Sequence, residues 1–112
     1  MTLKRLTLVA LVAGVFGAAV SARASAAPKP AIVPVVISQV AFTTPELKVK
    51  VGDIVEWENK DVIDHTSTSK AGKWDVTIPA GKKTRATMKT AGTFDYYCRF
   101  HPNMTAKITV VK

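Results

Sequence analysis

Cys98, His101 and Met104 stand three residues apart in the stretch Cys98-Arg99-Phe100-His101-Pro102-Asn103-Met104. They put a thiolate, an imidazole and a thioether within reach of one ion. Cys98 is the only cysteine in the chain, and the one other histidine, His65, lies thirty-three residues upstream of it. Soft sulfur donors favour Cu(I) and imidazole accepts Cu(II), so two imidazoles, one thiolate and an axial thioether suit a trigonal copper ion that changes oxidation state.

Each of these residues alone has a plainer reading. A free cysteine is commonly a small buried hydrophobe, a lone histidine a satisfied polar side chain, and a methionine near a strand end core filling, which is how Met88 reads. The combination carries the inference, because the chain places its single cysteine and both histidines where one β-domain can bring them together. Structural zinc takes a closed set of Cys and His ligands, and thioether serves it poorly, so Met104 favours copper. There is no Cys-x-x-Cys-His for covalent haem and no four-cysteine set for an iron–sulfur cluster.

These donors need a scaffold, and the hydrophobic pattern supplies one with a period of two and no sustained helical repeat. Val35 to Val40 reads as a first strand. Leu47, Val49 and Val51 alternate with Lys48 and Lys50, and after the Gly52-Asp53 turn Val55 and Trp57 alternate with Glu56 and Glu58. Trp74, Val76 and Ile78 continue the theme to the Pro79-Ala80-Gly81 turn, and Ala86 shares a face with Met88. Phe94, Tyr96 and Cys98 share one face, and Lys107 to Val111 closes the domain with Ile108 and Val110 inward. Seven to eight short strands with no helix predict an all-β, antiparallel β-sandwich. Cys98 ends one strand on its inward face, Met104 stands beside the entry to the last strand, and His65 falls in a polar connection from Asp61 to Lys70.

The segment Tyr96-Tyr97-Cys98-Arg99-Phe100-His101-Pro102-Asn103-Met104, with Asp64-His65-Thr66 upstream, resembles the cupredoxins, and most closely their amicyanin and plastocyanin branch. The resemblance runs from Glu46 to Lys112, and the short Cys-His and His-Met spacings are those of amicyanins. It implies a Greek-key sandwich and one type 1 copper ion. His65, Cys98 and His101 would be equatorial ligands, with Met104 a long axial one. It also implies single-electron traffic between larger redox proteins, with the edge of His101 reaching an apolar docking patch that includes Phe100 and Pro102. Two positions depart from the family pattern. Thr66 stands where members commonly have Asn, and Phe100 where amicyanins usually have Pro. Phe keeps an amide N–H that Pro lacks; aimed at the Cys98 sulfur, it would withdraw electron density and raise the reduction potential.

The start of the chain reads as an export signal, with Lys4 and Arg5, an apolar run from Leu6 to Val20, and Ala-x-Ala patterns ending at Ala24 and Ala26. Fifteen apolar residues fall short of the roughly 20 that span a bilayer. The expected organisation is a signal peptide over residues 1–26, a Pro-rich leader over 27–34 and a copper-binding domain over 35–112. Removing Lys4, Arg5 and Arg23 from sixteen basic residues leaves thirteen against eight acidic ones, a net charge of +5. That balance fits a redox donor and acceptor with acidic docking surfaces. No nucleic-acid motif is present, and the expectation is a periplasmic monomer without stable membrane insertion after cleavage. A copper carrier or resistance protein could use the same ligands, although no Met- or His-rich export motif accompanies them. An enzyme would need an open coordination position or a nucleophile beside a base, and both histidines are already used. A sandwich with a vestigial site is a further alternative.

Overall fold

The computed structural model describes residues 29–112 and isolated positions before them (2, 10, 13, 14 and 17). The expected signal peptide and the first residues of the leader lie outside the described residues. Nine strands follow in chain order: β1 (Ile32–Ser38), β2 (Ala41–Phe42), β3 (Glu46–Lys50), β4 (Ile54–Asn59), β5 (His65–Ser69), β6 (Asp75–Ile78), β7 (Lys83–Thr87), β8 (Gly92–Cys98) and β9 (His101–Val111). β1 begins at Ile32, three residues before the expected start of the domain, so Pro34 belongs to a strand and not to a tether.

The strands form two sheets, ordered β2-β1-β4-β7 and β3-β9-β8-β5-β6. The sandwich is as expected, but the sheets are mixed, not antiparallel: β1 runs parallel to β4, and β3 parallel to β9. β3 lies in the opposite sheet, so the chain leaves β1's sheet and returns in the same direction as β4. Alternation in a sequence tells which face is buried, not which way the neighbour runs.

The core is where the inward positions of the two sheets meet. Val55 and Trp57 on β4 and Phe94, Tyr96 and Cys98 on β8 are all buried, as their alternation requires. Tyr96 is the hub of an aromatic cluster. Its ring lies 4.6 Å from Phe42, 5.8 Å from Trp74 and 5.9 Å from Trp57, the Trp contacts edge-on. Such pairs contribute about 0.5–1.5 kcal/mol each beyond area burial. Because Tyr96 is two residues from Cys98 on the same face, the cluster also fixes the end of the strand that carries the thiol.

β5 departs most from the sequence reading. His-Thr-Ser-Thr-Ser has no apolar residue, yet all five positions are buried and form a strand between β6 and β8. It is tolerated because three of its four hydroxyls, those of Thr66, Ser67 and Thr68, are hydrogen-bonded. Ser67 accepts the Trp74 indole N–H at 2.9 Å, and Thr66 and Thr68 bond each other at 3.0 Å. Among the described residues, only the Ser69 hydroxyl is buried without a partner.

Candidate metal centre

Cys98 and His101 meet across a two-residue turn, Arg99-Phe100, as a cross-strand pair at the junction of β8 and β9. The register then shifts, because Tyr97 pairs with Thr105 while Cys98 pairs with His101. Pro102, Asn103 and Met104 are therefore extra residues on β9, a bulge of the kind that re-aims side chains beside functional sites. His65, the first residue of β5, comes from the other side. The last strand thus starts at His101, six residues before the expected Lys107, and the ligand loop is mostly strand.

The three side chains converge. One donor atom from each of His65, Cys98 and His101 lies within 4.8 Å of the others. The Cys98 Sγ is 3.8 Å from His65 Nδ1 and 3.7 Å from His101 Nδ1, and the two imidazole rings are 5.1 Å apart at 60°. With metal–nitrogen distances of about 2.0 Å and metal–sulfur of about 2.3 Å, ligands 120° apart have N and S about 3.7 Å from one another. The donor set fits one first-row ion in a trigonal plane. His65 and Cys98 are fully buried, Met104 is 4% exposed and His101 is half-buried, so His101 is the outermost of the four. Met104 lines the same shallow surface depression as Val40, Phe100, His101, Pro102 and Asn103.

Neighbours hold each ligand. With His65 Nδ1 facing the sulfur, its Nε2–H donates to Asp61 Oδ2 at 2.7 Å, a carboxylate partner that fixes tautomer and ring orientation. Asp61 also accepts the amides of Gln39 at 2.8 Å and Val40 at 2.9 Å. Those two residues have φ of 53° and 56°, which a β-branched side chain such as Val rarely adopts. The Val40 amide, with the His65 imidazole and the Gln39 amide, holds the Asp61 carboxyl below its ordinary value against the cost of desolvation. Asn59, 1% exposed, sits beneath this loop and accepts the Asp61 N–H at 2.9 Å.

The amide that donates to the Cys98 sulfur is that of Thr66, at 3.3 Å; the condition set on the Phe100 amide, that it be aimed at this sulfur, is met by Thr66 instead. Thr66 Oγ1 in turn accepts the Arg99 amide at 2.8 Å, so the residue found where the family commonly has Asn ties the two ligand segments together. Sequence reasoning located Asp61 near His65 without a role for it, and it passed over Asn59, Thr68 and Asp75. The available signal was Asn59-x-Asp61 four residues ahead of a histidine, a pattern of side chains that bond nearby backbone.

A family model for the cupredoxin-like domain matches residues 8–110. The chain belongs to the cupredoxin-like family. Amicyanin from Paracoccus denitrificans is 40% identical over 80 residues, covering 66% of this chain and 61% of the relative. Amicyanin from Paracoccus versutus is 36% identical over 80 residues, with the same coverage of each chain. The chain thus spans about three fifths of the length of these relatives. Among solved structures, the reduced state of an amicyanin mutant with proline replaced by phenylalanine superposes with a TM-score of 0.61 at 34% identity, covering 78% of this cupredoxin and 87% of that chain. An oxidised methionine-to-leucine mutant of amicyanin gives a TM-score of 0.61 at 32% identity, with the same coverage.

Proposed function

We propose that this cupredoxin is a single-electron carrier built on one type 1 copper ion, which His65, Cys98, His101 and Met104 would hold. The observation that carries this reading is the trigonal spacing of one thiolate and two Nδ1 atoms, with His65 and Cys98 fully buried. Solved relatives described as both oxidised and reduced amicyanin support it. Copper held there would supply a Cu(II)/Cu(I) couple. The chain's own residues limit rearrangement between the two states. Asp61 fixes the His65 ring, Thr66 donates its amide to the sulfur, and the Tyr96 cluster anchors the strand that ends in Cys98.

His101, the outermost ligand, is the exit for the electron. Around its end of the sandwich Val40, Phe100 and Ile63 are about half exposed and Val62 is 94% exposed. Lys60 and Arg99 adjoin these residues along the chain, as do Asp61 and Asp64, and the net charge of +5 over residues 27–112 favours a redox partner whose docking face is apolar with an acidic rim. The reading includes export to the periplasm after removal of residues 1–26, function as a monomer, and a carrier rather than an enzyme. Among the described residues, no helix is long and apolar enough to cross a membrane.

The test is a visible and EPR titration with Cu(II), followed by ascorbate. An intense thiolate-to-copper band with narrow copper hyperfine splitting, bleached reversibly, is expected. A pale, widely split spectrum, or copper lost on reduction, would replace the electron carrier with a protein that delivers the ion.

A further inference from the structure

We propose that Asp75 is a positioning residue for the metal centre. Its carboxylate closes a ring of hydrogen bonds through Thr68, Thr66 and Arg99 that locks the segment carrying Cys98 and His101 onto the strand carrying His65. The inference rests on the copper reading above.

The direction of every bond in this ring is forced. Asp75 Oδ1 can only accept, so the Thr68 hydroxyl, 2.8 Å away, donates to it. A hydroxyl has one proton to give, so Thr68 Oγ1 must accept from Thr66 Oγ1 at 3.0 Å. With its own proton committed, Thr66 Oγ1 offers a lone pair to the Arg99 amide at 2.8 Å. Arg99 Nε–H then donates to the same Asp75 Oδ1 at 3.1 Å, which completes the circuit. The carboxylate is the sink that sets the sense of the whole chain, and the Thr68 hydroxyl followed by the Arg99 guanidinium holds it ionised.

The ring spans β5 with Thr66 and Thr68, β6 with Asp75 directly across the ladder from Thr68, and the Arg99-Phe100 turn that follows β8. It lies next to two ligands along the chain, because Thr66 follows His65 and Arg99 follows Cys98. The Thr66 amide also reaches the Cys98 sulfur, so fixing the Thr66 side chain fixes a donor to the metal thiolate. The Arg99–Asp75 ion pair itself is exposed, 41% and 53% for the two side chains, and contributes little as a pair. The force of the arrangement is in the buried hydroxyls, Thr66 fully buried and Thr68 9% exposed, whose orientations the carboxylate sets and a mobile water in its place would not. The same guanidinium lies over the Phe100 ring, its carbon 5.5 Å from the ring centre.

The experiment compares Asp75→Ala, Asp75→Asn, Thr68→Val and the Asp75→Ala/Thr68→Val double variant with the parent protein. Glu56→Gln, which breaks the 2.7 Å ion pair with Arg85 on the opposite sheet, is the control. The first readout is amide hydrogen exchange at Arg99 and Thr66 in the metal-free protein. The second is the rate at which bathocuproine strips Cu(I) from the loaded protein. Asp75→Ala and Thr68→Val should each speed Arg99 exchange and raise copper loss about tenfold, the lower end of what removing an outer partner of a metal ligand does. The double variant should be no worse than either single one, because both break the same circuit. Asp75→Asn keeps an acceptor at Oδ1 and should fall between Asp75→Ala and the parent. Unchanged Arg99 exchange in Asp75→Ala, strictly additive effects, or an equal effect from Glu56→Gln would overturn the proposal. Absence of a thiolate–copper band in the parent protein would overturn the copper reading, while the metal-free exchange data would still decide the ring.

Discussion

Replacing Asn59 with Leu should unfold the ligand end of the molecule at a cost that can be worked out from three bonds. Asn59 Nδ2 donates to the carbonyls of Ile63 at 2.8 Å and Ile78 at 3.0 Å, and its Oδ1 accepts the Asp61 amide at 2.9 Å. Leucine fills a similar volume and has no polar atom. The Ile63 carbonyl sits in an exposed loop and can return to water. The Ile78 carbonyl and the Asp61 amide cannot do so without opening the loop that leads to His65. Two stranded groups at about 1–3 kcal/mol each give about 2–6 kcal/mol, less about 1 kcal/mol for the added apolar burial. An expected loss of about 3 kcal/mol is a large part of a small domain's stability. Urea denaturation of the metal-free protein under reductant reads it directly. With a slope near 1 kcal/mol per molar for so small a domain, the midpoint should fall by about 3 M. Asp61 loses the anchor for its amide, so the same variant should bind copper more weakly as His65 gains freedom. A loss below about 1 kcal/mol, or a large loss with copper affinity intact, would refute the chain of support from Asn59 through Asp61 to His65.

Acid should destabilise the metal-free protein through Asp53 and Asp75. The Lys50 and Ala31 amides hold the Asp53 carboxyl below its ordinary 3.8, and the Thr68 hydroxyl and Arg99 do the same for Asp75. A lowered folded value stabilises above the unfolded pKa, and that contribution is lost as pH falls through the folded one. Stability should therefore drop below about pH 4, and Asp53→Asn should flatten that drop; an unchanged slope would contradict it. Burial pushes the Tyr96 phenol up to about 12, opposed by the bond from the Trp57 indole. Of the two tyrosines, one should resist ionisation in an absorbance titration until near that pH, and Tyr96→Phe should abolish the late step. Gly92 has φ of 147°, and a Cβ there would lie 2.9 Å from Phe94 Cζ in the Trp74 contact. Gly92→Ala should cost about 2 kcal/mol and lower the thermal midpoint by about 10 °C. Gly72→Ala, left-handed but in open space, should cost about half as much.

Much of this architecture could be read from residue order alone, for a physical reason. Where a strand has one dry face, as in β4 and β8, the alternation of Val55 with Trp57 and of Phe94 with Tyr96 and Cys98 records which side is buried. The three converging residues His65, Cys98 and His101 were legible because cysteine and histidine are few here and their types define a chemistry. β5 was not legible, because a strand buried on both faces can be built of Thr and Ser when other side chains satisfy the hydroxyls, and those partners are remote in sequence. Strand direction was hidden for a related reason. The pairings of β1 with β4 and β3 with β9 follow from crossings between sheets, to which periodicity is blind. Asp61, Asn59 and Asp75 are polar residues whose meaning is their partners, and composition reads them only as solvent-facing charge and amide.

The long parallel pairing of β3 with β9 has a consequence for how the protein comes into being. Glu46 lies beside Lys107 and Lys50 beside Val111, so this pairing closes a gap of about sixty positions, a slow kind of contact to form. The same eleven-residue strand begins with His101 and holds Met104, and it follows Cys98 directly. Cys98 and His101 pair locally across the β8–β9 hairpin, so these two donors can meet before β3 is in place. In the folded protein the Cys98 sulfur is sealed at 0% exposure, and the slow long-range pairing, not the ligand hairpin, sets when the sandwich is complete.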